Sequence, residues 1–207
     1  VITMMRIGDT DTFSFARRIK SLYPNIPIVV LTHFSREVTL RLEREDLSAI
    51  DYVFCWLGNA DLLLAIIKLI EDRMNVQYDV DVVGVQTILL VEDSIRYIST
   101  YLPNIYKIIF KQSKEYMREA LNEHQKMLRM RGRPKILLAT NYEQAMALYE
   151  KYKYNMLGII SDITYPRKGV KDKLAGIKLC EKVKQDDPFM PLLLQSSEMS
   201  NKKYADE

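Results

Sequence analysis

The sequence predicts an α/β protein with a doubly wound parallel sheet, and three observations predict it. Short apolar, β-branched runs of strand length alternate with helical patterns along the whole chain. Those runs are apolar on both faces, as strands covered by helices on either side are. Several of them end abruptly in polar or acidic residues, and such sheets place their functional groups just beyond the carboxyl ends of the strands.

In chain order, Ile28-Val29-Val30-Leu31 is the first clear strand, preceded by Pro27 and closed by Thr32-His33. Ser35 can cap a helix running to Leu47. Tyr52 to Trp56 is a second strand, after which Asn59 or Asp61 can cap a helix carrying Leu63, Ile66, Ile67 and Ile70. The polar stretch Asn75 to Gln86, with Gly84, reads as a linker, because the pattern restarts beyond it. Thr87-Ile88-Leu89-Leu90-Val91 is a strand ending at Glu92-Asp93-Ser94. A long helix from Ile95 to Met130 is expected to kink or restart near Pro103, whose ring removes a backbone donor, and to stop at Gly132 and Pro134. Ile136 to Ala139 is a strand, Tyr142 to Tyr152 a helix, and Leu157 to Ile160 a strand ending at Ser161-Asp162. Gly176 to Gln185 is a helix, and Leu192 to Leu194 a strand ending at Gln195-Ser196-Ser197. The expectation is two units, residues 1–74 and 87–207, joined by a linker over 75–86, with right-handed crossovers between parallel strands.

The 207 residues are 48% apolar and 28% charged, as in a soluble globular protein, and seven Gly with seven Pro leave no low-complexity linker. The longest apolar run, Leu62 to Ile67, is far short of the roughly 20 residues that span a bilayer. The start, Val1 to Met5, shows no signal pattern and reads as a cut inside a domain. Cys55 and Cys180 lack metal-type spacing and suit buried thiols in a reducing cytoplasm. A net charge of +3 does not imply a nucleic-acid partner, although Ile105 to Lys135 holds nine cations against three carboxylates, the pattern of a solvated helix face.

The chemistry is expected at three strand ends of the second half, which deliver Glu92-Asp93, Asp162 and Ser196. Carboxylates converging without a cation repel one another, so that at least one holds its proton. Mg²⁺, which takes carboxylate, carbonyl and water oxygens in an octahedron, resolves the repulsion. Asp162 can then act as a carboxylate nucleophile toward a phosphoryl group, and the Ser196 hydroxyl would bond the new phosphoryl oxygen.

Thr87 to Ser94 resembles the opening strand and acidic pair of response-regulator receiver domains. Ile159 to Pro166, with Pro four residues after Asp162, resembles their phosphoacceptor strand, and Pro191 to Ser197 their switch strand. The resemblance, covering about Thr87 to Glu207, implies a flavodoxin-like receiver fold, phosphorylation on Asp162, Mg²⁺ held by Glu92, Asp93, Asp162 and the Thr164 carbonyl, and Ser196 as the switch hydroxyl. It implies a regulatory module rather than an enzyme, taking its phosphate from a histidine kinase or a phosphotransfer protein. In the first half, Asp11 to Ile19, Ile26 to Thr32 and Asp51 to Trp56 resemble the third helix, switch strand and final strand of the same module. There Ile2 or Thr3 falls where the acceptor Asp belongs and Cys55 where the family's Lys belongs, leaving Thr32 and a degenerate unit.

The sequence departs from the family in two places. The final strand with its phosphoryl-contacting Lys is expected beyond Glu207. Asp93 and Asp162 are 69 residues apart, more than the family's usual spacing, and the excess falls in a long inserted helix. Met117, Leu121, His124 and Leu128 form a seam on that helix that could carry a homodimer contact. Pro166 to Ala175 reads as a long loop beside Asp162. Arg131-Gly132-Arg133-Pro134-Lys135 matches the core of an AT-hook, but helix termination and strand start explain the same residues. Asp162 to Gly169 with Ala175 to Glu181 also resembles the receiver-like amino-terminal region of bacterial phosphoenolpyruvate synthase-like proteins. That would make the chain the regulatory part of an enzyme, and a phosphorylation-independent interaction platform is the alternative function. An aspartyl-phosphate enzyme of another α/β fold would place a second Asp two residues after the nucleophile, where this chain has Thr164.

Overall fold

The computed structural model describes residues 1–7, 10–33, 45–118, 132–197 and 201. The backbone is mixed α/β, and its two larger sheets are wholly parallel. Its contacts gather into two compact units, residues 1–65 with 95–104, and residues 66–94 with 105–207.

In the first unit, β1 (Ile2–Met4), β4 (Val29–Thr32) and β5 (Tyr52–Cys55) form a parallel sheet in the order β1-β4-β5. Val29, Val30 and Leu31 are all buried, as expected of a strand flanked on both sides. A two-stranded hairpin, β2 (Arg6–Ile7) with β3 (Thr10–Asp11), leads into helix α1 (Thr12–Leu22), which Asp11 caps by accepting from the Ser14 N–H. Phe13 packs with Met5 and Val30, and Ile95 lies against this group. Ser99 donates to the carbonyl of Ile95 and receives the N–H of Cys55, which is buried. The expected helix from Ser35 to Leu47 falls mostly outside the described residues.

Helix α2 (Asp61–Val83) begins at a cap provided by Asn59, whose side-chain oxygen accepts the Asp61 N–H. It runs through most of the stretch expected to be a linker, so that only Gly84 to Gln86 remain outside regular structure. The reason is apolar spacing hidden in a polar-looking sequence. Leu69 and Val76 are buried, and Val80 packs with Val76 into the core of the second unit. Gly84, at φ +72°, ends the helix where a left-handed residue is required; its N–H and that of Val85 bond the carbonyls of Val80 and Asp79.

The second unit holds β6 (Thr87–Val91), β7 (Lys135–Ala139), β8 (Met156–Asp162) and β11 (Leu192–Gln195), ordered β11-β8-β6-β7 and all parallel. Counted along the unit, this is the spatial order 2-1-3-4, compatible with a flavodoxin-like sheet, whose switch point falls between its first and third strands. Helix α3 (Ile95–Arg118) passes Pro103 without ending, and the chain moves from the first unit to the second just beyond it, between Asn104 and Ile105. The expected seam residues Leu121, His124 and Leu128 lie outside the described residues, as does the side chain of Met117. Asn141 caps α4 (Tyr142–Tyr152) through the Gln144 N–H. Tyr149, Tyr165, Leu179 and Val183 lie in one buried cluster with Leu89, Val91 and Ile159.

The segment expected to be a loop after Asp162 is a β-hairpin, β9 (Tyr165–Arg167) paired antiparallel with β10 (Val170–Asp172), followed by α5 (Ala175–Asp186). Its two-residue turn has positive φ at both Lys168 (54°) and Gly169 (75°), the geometry that matches strand twist in tight hairpins. Of the five-residue basic match to an AT-hook, Arg131 lies outside the described residues. Arg133 and Lys135 are buried and ion-paired within the unit, so neither is free to lie in a DNA groove. Cys55 is buried and Cys180 half-buried. Among the described residues, no helix is long and apolar enough to cross a membrane.

Candidate metal centre

The carboxyl ends of β6 and β8 bring together the three carboxylates expected from the sequence. Glu92, Asp93 and Asp162 each present a ligand oxygen, and these oxygens all lie within 4.8 Å of one another. The strands delivering them are adjacent in the sheet and paired in register, Val91 opposite Ser161. The group therefore sits beside the switch point of the sheet order. Among the described residues this is the one such acidic cluster, and the first unit has none.

Local hydrogen bonding fixes Glu92 and Asp162. The Glu92 N–H bonds the carbonyl of Ala139, extending the ladder one residue past β6, and its side chain turns back to accept the Ser94 N–H at 2.9 Å. Asp162, the last residue of β8, accepts the Thr164 N–H at 3.3 Å. The N–H of Gly176 bonds the carbonyl of Ile163, bringing the first turn of α5 onto the residues after β8. A Cβ at position 176 would stand 2.2 Å from the carbonyl oxygen of Asp162, so only glycine allows this approach without displacing the end of β8.

Burial and mutual repulsion shape the electrostatics. Glu92 is 1% exposed, and its pKa is pushed up from 4.5 to about 7, chiefly by burial, with Asp162 and Asp93 adding repulsion. The carboxyl of Asp162 is raised for the same reasons, burial first, against the bonds from the backbone N–H groups of Ile163 and Thr164. Lys171, on β10, moderates both, and its Nζ lies 3.4 Å from Asp93 Oδ2.

Three hard oxygen donors clustered with a surplus of negative charge match the chemistry of a small divalent cation. An octahedron of oxygens about 2.1 Å from a small divalent ion spans about 4.2 Å between opposite ligands, comparable to the spacing within the cluster. Binding through Glu92 would require its carboxyl to be ionised. Affinity for a divalent cation should therefore rise with pH through about 7, each bound ion expelling part of a proton. In the ion-free protein the sign is opposite. The raised pKa means that this group's contribution to stability is full below 4.5 and is lost as pH rises through about 7. Calorimetric titration with Mg²⁺ in buffers of differing ionisation enthalpy checks the first statement, and thermal unfolding of the ion-free protein across the same pH range checks the second. An affinity unchanged from about pH 6 to about pH 8 would contradict the assignment of Glu92 as a ligand.

The other two expected site residues are placed differently. The register sets Gln195 opposite Asp162, and the Gln195 side chain, not that of Ser196, reaches toward the cluster, its Nε2 lying 3.4 Å from Glu92 Oε2. Ser196 is exposed, one residue past β11, and accepts from Asn201 Nδ2 at 2.8 Å. Strand alternation accounts for this, since a one-residue offset sends successive side chains to opposite faces. Thr164 holds Asp162 through its N–H, while its hydroxyl donates to the carbonyl of Lys173. Sequence reasoning missed Lys171, because the hairpin that carries it reads as a loop. Comparison with protein-family models, with curated proteins and with solved structures finds no match.

Proposed function

We propose that the second unit is a receiver-like regulatory module that accepts a phosphoryl group on Asp162 with the help of Mg²⁺. The observation that carries this reading is the convergence of Glu92, Asp93 and Asp162 beside the switch point of a parallel sheet ordered 2-1-3-4. A carboxylate oxygen of Asp162 attacks the phosphorus of a phosphohistidine on a histidine kinase or phosphotransfer protein. An O–P bond forms, the N–P bond breaks, and the imidazole nitrogen keeps the electron pair and takes up a proton. Water later cleaves the acyl phosphate and restores the carboxylate.

Glu92, Asp93 and Asp162 would hold the magnesium ion, with the Thr164 carbonyl as a further donor; when bound it would supply positive charge to offset that on the transferring phosphoryl group. Ser196 enters this reading as a hydroxyl that must turn toward Asp162 once it is phosphorylated, giving up its bond with Asn201. Such a rearrangement is how a local charge change becomes a population shift read by a partner. The module is proposed to act in the cytoplasm as a regulatory part and not as an enzyme. The first unit, with Ile2 and Thr3 on β1 and Cys55 ending β5, carries no comparable carboxylates among its described residues. It is proposed to serve as a degenerate receiver used for packing or partner contact.

The test is incubation of the protein with Mg²⁺ and a small acyl-phosphate donor. One acid-stable but base- and hydroxylamine-labile phosphate per chain is expected, and chelating Mg²⁺ should abolish it. Labelling that survives chelation, or a phosphate stable to hydroxylamine, would remove the acyl-phosphate reading and leave the interaction platform.

A further inference from the structure

Phosphorylating Asp162 would add negative charge to a site that already holds Glu92 and Asp93, and one divalent ion does not balance that total. A further cation is needed near the acceptor. The hairpin after β8 supplies one. Its Lys171 faces the cluster with Nζ 3.4 Å from Asp93 Oδ2.

The hairpin is anchored on several sides, so that this placement is built into the unit. Tyr165 is fully buried at its start, and its hydroxyl receives the hydroxyl of Ser161. The guanidinium of Arg167 lies over the ring of Tyr142, 4.8 Å from its centroid, and the N–H of Lys168 donates to Glu143 at 2.9 Å, both on α4. Asp172 is bound by Lys178 at 2.7 Å and accepts the Leu174 N–H, tying the other end to the start of α5. Within this frame the side chain of Lys171 is 65% exposed, so it is free to swing while its base is fixed.

We propose that Lys171 is a phosphoryl-positioning residue, which leaves Asp93 when a divalent ion binds and pairs with the phosphoryl oxygens on Asp162. A cation would thus come from the hairpin that directly follows the acceptor strand, separate from the Lys expected on a final strand. This rests on the phosphoacceptor reading above. The distances allow it: the ligand oxygens of Asp93 and Asp162 lie within 4.8 Å of each other, a span that a lysine side chain covers by rotamer change alone. The competing role is a plain counter-ion to Asp93, and the two predict different behaviour on removal. A counter-ion competes with metal and is indifferent to phosphate, whereas a phosphoryl partner is required after the metal is in place.

The whole chain is titrated with Mg²⁺, and then, with Mg²⁺ saturating, with fluoroberyllate as a mimic of the phosphoryl group. The expected result for Lys171→Met is a Mg²⁺ affinity equal to or above that of the unsubstituted protein, with fluoroberyllate affinity lowered on the order of tenfold, the effect of one charged hydrogen bond. Lys171→Arg should recover most of it. The proposal is overturned if Lys171→Met binds fluoroberyllate as the unsubstituted protein does, or if it loses Mg²⁺ and fluoroberyllate together. If the unsubstituted protein binds Mg²⁺ and no fluoroberyllate, the phosphoacceptor reading itself falls and this inference with it.

Discussion

Asp72→Ala should destabilise the second unit by about 3 to 5 kcal/mol, the cost of leaving a buried charge without its partner. Asp72 is fully buried on α2. It takes Arg133 in a two-pronged pair, Nη2 to Oδ1 at 2.6 Å and Nη1 to Oδ2 at 3.1 Å. The same carboxylate accepts the Tyr106 hydroxyl at 2.7 Å and the Ile136 N–H at 3.0 Å, so one side chain joins α2, α3 and the start of β7. Without it the Arg133 guanidinium, buried against the rings of Tyr106 and Phe110, keeps its desolvation cost and two long contacts, with Glu71 at 3.5 Å and with the Pro134 carbonyl at 3.4 Å. Denaturant unfolding measures the loss; a change below about 1 kcal/mol would mean that Arg133 finds water or another acceptor. Replacing both partners at once, Asp72→Leu with Arg133→Met, should recover only the part of the loss that belongs to the stranded charge, because the Tyr106 hydroxyl and the Ile136 N–H still lack their acceptor.

Asp162→Asn should remove phosphate labelling to background while raising the stability of the ion-free protein. The two effects have one cause. Burial and the neighbouring Asp93 disfavour the charged form of Asp162, so a neutral amide of the same shape relieves the repulsion, and it keeps an oxygen for the Thr164 N–H. It is not a nucleophile toward phosphorus. Thermal unfolding and labelling measured on the same sample check the pair. Lost labelling together with a lowered melting temperature would show that Asn has disturbed the fold, and labelling that persists would exclude Asp162 as the acceptor.

Much of the fold was legible because buried parallel strands announce themselves as apolar runs. Thr87 to Val91 and Ile136 to Ala139 needed no periodicity argument, and Leu192 to Leu194 reads the same way although Leu193 is exposed; the polar residues where they stop mark the strand ends. The acidic cluster followed from the same feature. What the sequence concealed was polar residues doing structural tasks. Asp72, Arg133 and Lys135 look like solvated charges, and only the tertiary structure shows them buried and paired. The stretch from Asn75 reads as polar because its core-facing residues, Val76 and Val80, come only once per turn. The hairpin at 165–172 was hidden by Pro166 and by a turn that places Lys168 in a conformation lysine seldom adopts. The offset between Gln195 and Ser196 depends on register, which side-chain chemistry alone does not reveal.

The most direct test of the account is to locate the phosphate. After labelling with Mg²⁺ and an acyl-phosphate donor, borohydride reduction turns a phosphorylated aspartyl into homoserine, which peptide mass spectrometry assigns to one position. The account predicts homoserine at residue 162 and at no other carboxylate. Homoserine at position 93, or reduction spread over several surface carboxylates, would contradict it.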